Sequence, residues 1–388
     1  MRTRTAITSS LVGAALALGG CGGSQASHSA SSTSSSATQT TPSNHAVLPQ
    51  TPSYAADPQD VYAADAASDL SRVVRHDRPL VYVPNSEGNT VDEIDPTTYK
   101  IVREFRVGSL PQHVIPAYDL RTLYVANDQG NSLTPINPAN GIPGHPIPVQ
   151  DPYNMYFTPD GRYAVVVEER MRQLAFRDAN TMKLHHLLSV PTCSGVNHAD
   201  YTADGRYMLL SCEFGSAMIV VDVARERVVK TLALRPQASP QDVKLAPDGS
   251  VFYVADLVYG GVWVISADNF RLLGFVKTGA GAHGLYPSRD GRFLYVSDRS
   301  EGAVSVLSFK TNKVVKTWPI PGGSPDMGNV SADGRVLWLS GRYDDQVYAI
   351  DTRTGKLLAR VPVGAGPHGV CVWPQPGRYS LGHTGIMR

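Results

Sequence analysis

The chain has almost no charge bias. Thirty-five lysines and arginines face 34 aspartates and glutamates, a formal net charge of +1. General nucleic-acid binders carry a cationic excess, so a nucleic-acid partner is not expected unless one face gathers a basic patch. Several catalytic signatures are missing as well. There is no Cys-x-x-Cys-His for covalent haem, no His-Glu-x-x-His zinc helix and no Gly-x-Ser-x-Gly nucleophile elbow. Cysteine is scarce: Cys21, Cys193, Cys212 and Cys371. A disulfide-built scaffold is therefore excluded, and a hydrophobic core must carry the fold; the hydrophobic content of 42% is ordinary for that. No apolar run spans a bilayer as a mature helix. Ala6 to Leu18 is too short, and it follows Arg2 and Arg4 as the apolar region of a signal peptide does.

Two Gly-x-Gly-x-x-Gly runs, Gly279–Gly284 and Gly364–Gly369, are present but lack the βαβ context of a dinucleotide site. A sentence repeated six times is far more informative. Each copy reads as a polar loop, an apolar strand, Asp-Gly-Arg or a variant, and a second apolar strand. The turn aspartates are Asp119, Asp160, Asp204, Asp248, Asp290 and Asp333, spaced by 41, 44, 44, 42 and 43 residues. Asp-Gly is a preferred tight-turn pair, so these aspartates are read as structural. Two further strand signals close each unit, as in Ala217–Val223 followed by Val228–Leu232. Four short strands on a period near 43 residues define a β-propeller blade.

The six copies predict blades 1 to 6. The chain ends predict a seventh: Pro367–Trp373 supplies its inner strand A, and Pro79–Asn85, Thr90–Ile94 and Lys100–Phe105 supply strands B, C and D. The expected fold is all-β, a seven-bladed propeller of four-stranded antiparallel blades, with N- and C-terminal strands sharing one blade. Closure removes free sheet edges, and a monomer is expected. Eight blades is the alternative if residues 46–78 or Arg378–Arg388 add strands.

The expected division of the chain is a signal peptide over residues 1–21, a tether over 22–45, an extension over 46–78 and the propeller over 79–388. Leu18-Gly19-Gly20-Cys21 resembles a bacterial lipobox, in which Cys21 becomes the acylated residue; a plain secretory signal is the alternative. The Ser/Thr-rich tether reaches roughly 25–30 Å as a flexible coil. In the extension, a short helix from Asp57 to Leu70 is expected on the outside of the first blade. Cys193 and Cys212 fall on one face of blade 3, so a disulfide is expected there, with a thiolate–imidazole site including His198 as the alternative. Cys371 reads as a buried thiol.

The strands Leu123–Asn127, Phe252–Asp256, Leu294–Asp298 and Val81–Asn85, with the entry loop Gly366-Pro367-His368-Gly369, resemble the YVTN-repeat (YncE-like) propeller family over about 80% of the chain. More distantly, the pattern is similar to the propeller domains of nitrous-oxide reductase, haem d1 nitrite reductase and lactonases. The resemblance implies an extracytoplasmic seven-bladed propeller and no single activity.

Propeller geometry turns register into position. The loops before strands A and after strands B open on one face, around the axis. Two neighbouring entry-loop columns run Gln112, Tyr153, Asn197, Gln241, His283, Asp326, His368 and His113, Asn154, His198, Asp242, Gly284, Met327, Gly369. The strand B ends add Asn85, Asn127, Glu168, Cys212, Asp256, Asp298 and Gly341. The ligand candidates are therefore His113, Asn154, His198, Asp242, His283, Asp326, His368, Asn127, Glu168, Asp256 and Asp298. Imidazole with carboxylate suits a divalent transition metal, and His113, His198 and His368 with Glu168, Asp242 or Glu213 form the expected set. Lying in two columns on different blades, the histidines are not all expected to meet. Tyr153, Tyr156, Phe214, Tyr259 and Tyr343 are aromatic candidates for the same face, while His185 and His186 read as outer-strand surface. The leading expectation is a membrane-tethered, non-enzymatic binding module that presents its loop-rich face to an envelope protein or small ligand. The alternative is a metal-binding, lactonase-like or redox-accessory propeller.

Overall fold

The structure is a computed structural model that describes residues 60–67, 69–383 and 385–388. The signal peptide, Cys21 and the tether lie outside the described residues. Seven sheets surround an axis. Blades 1 to 6 begin with strands A at Pro111–Pro116, Pro152–Phe157, Val196–Tyr201, Pro240–Leu245, Ala282–Pro287 and Pro325–Val330. Blade 7 pairs Cys371–Trp373 with Leu80–Asn85, then Thr90–Asp95 and Lys100–Arg106. The predicted closure by both termini is therefore observed, and the described residues form seven blades and no eighth.

Within a blade, strands A, B and C are buried on both faces while strand D is largely exposed, so hydrophobicity falls outward. Neighbouring blades bury their sheet faces against each other. Val165, Val167, Leu174 and Phe176 of blade 2 pack on Val196, Leu210 and Ile219 of blade 3. Each such side chain contributes about 1.5–3 kcal/mol relative to exposure. Blade 1 departs from the pattern: Pro143, Pro146 and Pro148 remove ladder donors, and its outer strand breaks into Ile142–Pro143 and Ile147–Pro148.

The Asp-Gly-Arg turns are structural, as read. Asp160 accepts from the Arg162 N–H at 3.0 Å and from the Thr158 hydroxyl at 2.6 Å. Asp204, Asp290 and Asp333 repeat this with Thr202, Ser288 and Ser331. The following glycine adopts positive φ, +69° at Gly161.

Two segments cover the face that carries these turns. The first is the N-terminal extension, where the described part of the expected helix holds only a three-residue 3-10 turn, Ala63–Asp65. Tertiary anchoring overrides the helical pattern: the Val61 N–H donates to Pro247 O, the Tyr62 hydroxyl to Leu245 O, and Asp65 pairs with Arg289 at 2.5 Å. The described part of the segment thus crosses from blade 4 towards the junction of blades 7 and 1, where Leu70 and Val74 pack, and it runs over the turn face rather than along the outside of blade 1. The second is a hairpin over residues 379–388, tied by Leu381 N–H to Ile386 O and by reciprocal Tyr379–Arg388 bonds. It reaches into the ring, where Phe157 N–H donates to Leu381 O and His383 N–H to Met155 O.

Candidate metal centre

Strands A line the axis, and their first residues are irregular. Pairing with strand B slips between Pro111 and His113, Val196 and Ala199, Pro240 and Val243, Ala282 and Leu285, and Pro325 and Gly328. A bulge re-aims side chains and leaves backbone donors outside the ladder. A strand B serine takes several of these donors: Ser211 accepts His198 N–H at 3.1 Å, Ser297 accepts Gly284 N–H at 2.8 Å, and Ser340 accepts Met327 N–H at 3.1 Å. Farther in, strand A side chains latch one blade to the next. Asp200 accepts Leu245 N–H at 2.8 Å, and Asp242 accepts Leu285 N–H at 2.9 Å.

The bulges bring both entry-loop columns to the axis, where the histidines stand side by side but, as expected, do not all enter one ligand group. The His113 ring centroid lies 4.8 Å from that of His368 and 5.5 Å from that of His198, while His283 lies 6.2 Å from His368 and 6.3 Å from His198. A fifth imidazole, His383 of the hairpin, sits 4.7 Å from His198 and 4.9 Å from His113. None of the five is more than 4% exposed.

Two three-residue groups result. One ligand atom each of His113, His198 and His383 lie within 4.8 Å of one another, and the same holds for His283, Asp326 and His368. The expected set of His113, His198 and His368 is therefore divided between two adjacent groups. Asp242 touches the first group, with Oδ1 3.6 Å from His383 Nε2, but it is chiefly engaged by buried Lys244 at 3.1 Å. Asn154 Nδ2 lies 3.2 Å from Nδ1 of both His198 and His383.

The other candidates serve the blades. Asn127 donates to Ser132 and Thr134, Asp256 accepts from Trp263 Nε1 at 2.8 Å, and Asp298 accepts from Ser305 and Thr278. Glu168 is held by Gln173 and Arg177, and Glu213 by Asn197. These residues end strand B or begin its turn, where they fasten neighbouring backbone and side chains. The structure therefore does not bring Glu168 or Glu213 into a ligand group. The thiolate–imidazole alternative also falls, because Cys193 and Cys212 are disulfide-bonded. Cys371 is buried, as expected.

Burial keeps four of the imidazoles neutral. Burial pushes His113 down to about 3, helped by Arg342 and opposed by Asp326. Burial likewise holds His198, His368 and His383 well below the usual imidazole range. For Asp326, burial works upward, but His283, Arg299 and His368 outweigh it and hold the carboxyl well below the ordinary range. Neutral imidazole and ionised carboxylate are the ligand-competent forms. Neither ring nitrogen of His113 has a hydrogen-bond partner, nor do His198 Nε2 and His368 Nδ1. Buried polar atoms left without a partner cost about 1–3 kcal/mol each. Such a cluster converging on one axis has the chemistry of a metal-binding donor set.

Sequence reasoning missed His383, which has no counterpart in the repeats. Its one local signal is the flanking glycines. Gly382 and Gly385 take φ of +98° and +91°, and a Cβ on Gly382 would lie 2.4 Å from Met155 O.

A closed seven-bladed ring with a polar axial cluster defines a β-propeller scaffold. The YNCE-like beta-propeller family model matches residues 63–376, and the chain belongs to that family. No curated protein matches the sequence. Solved structures share the fold at low identity. A Kuenenia stuttgartiensis hydrazine synthase chain is 19% identical with a TM-score of 0.62, covering 70% of this chain and 92% of its own. A putative 6-phosphogluconolactonase from Bacteroides uniformis is 16% identical with a TM-score of 0.61, covering 76% and 99%. The dihydro-haem d1 dehydrogenase NirN is 16% identical with a TM-score of 0.57, covering 85% and 78%.

Proposed function

We propose that this propeller is a metal-binding protein of the cell envelope, with a transition-metal ion held on the axis by His113, His198 and His383. The observation that carries this reading is the convergence of buried, neutral imidazoles whose ring nitrogens include several without partners. Imidazole donors suit copper, zinc, iron or nickel. A bound ion would supply Lewis-acid or redox chemistry. The chain's own residues orient the donors and exclude bulk water. Asn154 is the positioning residue. Its Nδ2 stands 3.2 Å from Nδ1 of both His198 and His383 while its Oδ1 accepts the Met155 N–H at 2.9 Å, so it fixes the two rings side by side. Gly369 is the second support: a Cβ there would lie 2.0 Å from His113 Nδ1, so only glycine lets that ring stand where it does.

The test is elemental analysis of the mature protein, purified without chelator or a histidine tag. The expected result is at least one transition-metal ion per chain, lost in His198→Ala and in His383→Ala while both variants remain folded. A folded protein that retains no metal after loading with copper, zinc, nickel or iron salts overturns the reading.

The membrane tether belongs to the same proposal. It rests on the lipobox-like Leu18–Cys21, and the Cys193–Cys212 disulfide suits an oxidising compartment. Cys21→Ala should move the protein from the membrane fraction to the soluble fraction.

A second reading, partner docking on the loop-rich face, has its own observation. Met171, Phe214, Val258 and Tyr343 stand on strand B–C turns and are 49%, 68%, 60% and 72% exposed. Changing Phe214 and Tyr343 to serine should abolish crosslinking to an envelope partner without altering metal content.

A further inference from the structure

We propose that the axis holds two metal ions rather than one, and that the second, on His283, Asp326 and His368 beside the Met327 thioether, is copper. This rests on the metal-binding reading above and goes beyond it in number and identity.

Four observations carry it. First, His283, Asp326 and His368 form a ligand group of their own, sharing no residue with the first. Second, the Asp326 carboxylate is divided. Oδ1 is engaged by Arg299 at 3.1 Å and by His283 Nδ1 at 3.0 Å, whereas Oδ2 has no hydrogen-bond partner and faces His368 Nε2 at 3.6 Å. That gap is too long for a hydrogen bond. It is close to the separation of about 3.3 Å between two ligands that each stand about 2 Å from one tetrahedral ion.

Third, the group includes sulfur. Met327 Sδ is 3.0 Å from His283 Nδ1 and 3.7 Å from the Tyr286 hydroxyl, and Met327 is fully buried. Here the thioether is a weak acceptor facing an imidazole nitrogen and a phenol on the axis, and its remaining lone pair is a soft donor beside the group. Thioether with imidazole selects copper, and cuprous copper above all, whereas zinc and the hard cations gain little from it. Fourth, the two groups adjoin, since His113 of the first and His368 of the second have ring centroids 4.8 Å apart. Arg299 offsets the Asp326 charge and the Arg342 guanidinium also acts on His368, so the second site is cationic on balance before loading, which penalises a singly charged cuprous ion less than a doubly charged one.

The experiment loads the full-length mature protein with cuprous copper under anaerobic conditions, removes free ion and counts copper per chain. Two equivalents are expected for the wild type. One is expected for Asp326→Asn and for His368→Ala, with the first group intact, and one for His383→Ala, with the second intact. Met327→Leu, which conserves volume, should weaken one cuprous equivalent by about tenfold in a chelator competition and leave zinc binding unchanged. Far-ultraviolet circular dichroism and thermal melts of the metal-free variants check folding, and Met327→Leu carries the test if Asp326→Asn is unstable. A wild type that saturates at one equivalent, lost in His383→Ala and indifferent to His368→Ala and Met327→Leu, overturns this inference and leaves the single-metal reading standing. Failure to hold any copper or other metal overturns both.

Discussion

Arg388 Nη2 donates to Asp200 Oδ1 at 2.9 Å, and both side chains are essentially inaccessible to solvent. Through its other oxygen Asp200 accepts Leu245 N–H, and the Arg388 guanidinium stacks 4.7 Å over the Tyr62 ring. One buried pair therefore joins the C-terminal hairpin, strand A of blade 3, strand A of blade 4 and the N-terminal extension. Breaking a buried pair by removing one partner leaves the other charge uncompensated, at a cost of about 3–5 kcal/mol. Arg388→Ala should lose that much in urea unfolding. On the proposed metal-binding reading it should also lower metal retention, because the hairpin that carries His383 loses its anchor.

Gly369 backs the His113 ring, and a methyl group there would overlap Nδ1. Gly369→Ala should cost about 1–3 kcal/mol, the usual range for overpacking. The informative readout is metal retention, which should fall far more than the modest loss of stability would explain.

The Cys193–Cys212 disulfide closes a short loop, 19 residues apart in sequence, between the entry to blade 3 and the end of its second strand. A loop of that length gives about 3 kcal/mol in the chain-entropy account. The double Cys→Ser variant, or the reduced wild type, should melt at lower temperature by the equivalent of that loss. Metal content should stay unchanged, because neither sulfur is a ligand.

Stability should fall as pH rises through neutrality. Burial, with Glu213, Asp128 and Asp151 nearby, raises Glu169 to about 8; burial and a hydrogen bond with Asp151 raise Asp128 to about 7. The sign follows from proton counting. Between the ordinary carboxylate range and these raised values, the folded protein holds protons that the unfolded chain has lost, so raising the pH favours unfolding. Glu169→Gln should flatten the profile between about pH 5 and 8. At pH 8 it should add on the order of 1 kcal/mol, allowing for solvent screening at this half-buried position. A variant less stable than wild type at pH 8 would contradict this.

The repeat made the fold legible. Apolar alternation, Asp-Gly turns and a period near 43 residues are local properties, and each blade forms wherever they recur. The disulfide was legible for the same reason, since register puts Cys193 and Cys212 on one face. Four of the five axial histidines and Asp326 were visible as columns. The grouping was not, because it depends on the bulge at the head of each strand A, a backbone detail that strand periodicity does not carry.

Sequence alone therefore determined the seven blades, their closure by both chain ends and the polar character of the axis. Each of these follows from patterns within one repeat length. Tertiary structure alone decided that His383 enters the axis, that the extension crosses the turn face rather than the outside of blade 1, and that Glu168, Asp256 and Asp298 fasten blades instead of facing a ligand. The physical reason is common to all three. A segment outside the repeat has no neighbour in register, and a buried polar group takes whichever partner the closed ring brings within hydrogen-bonding reach.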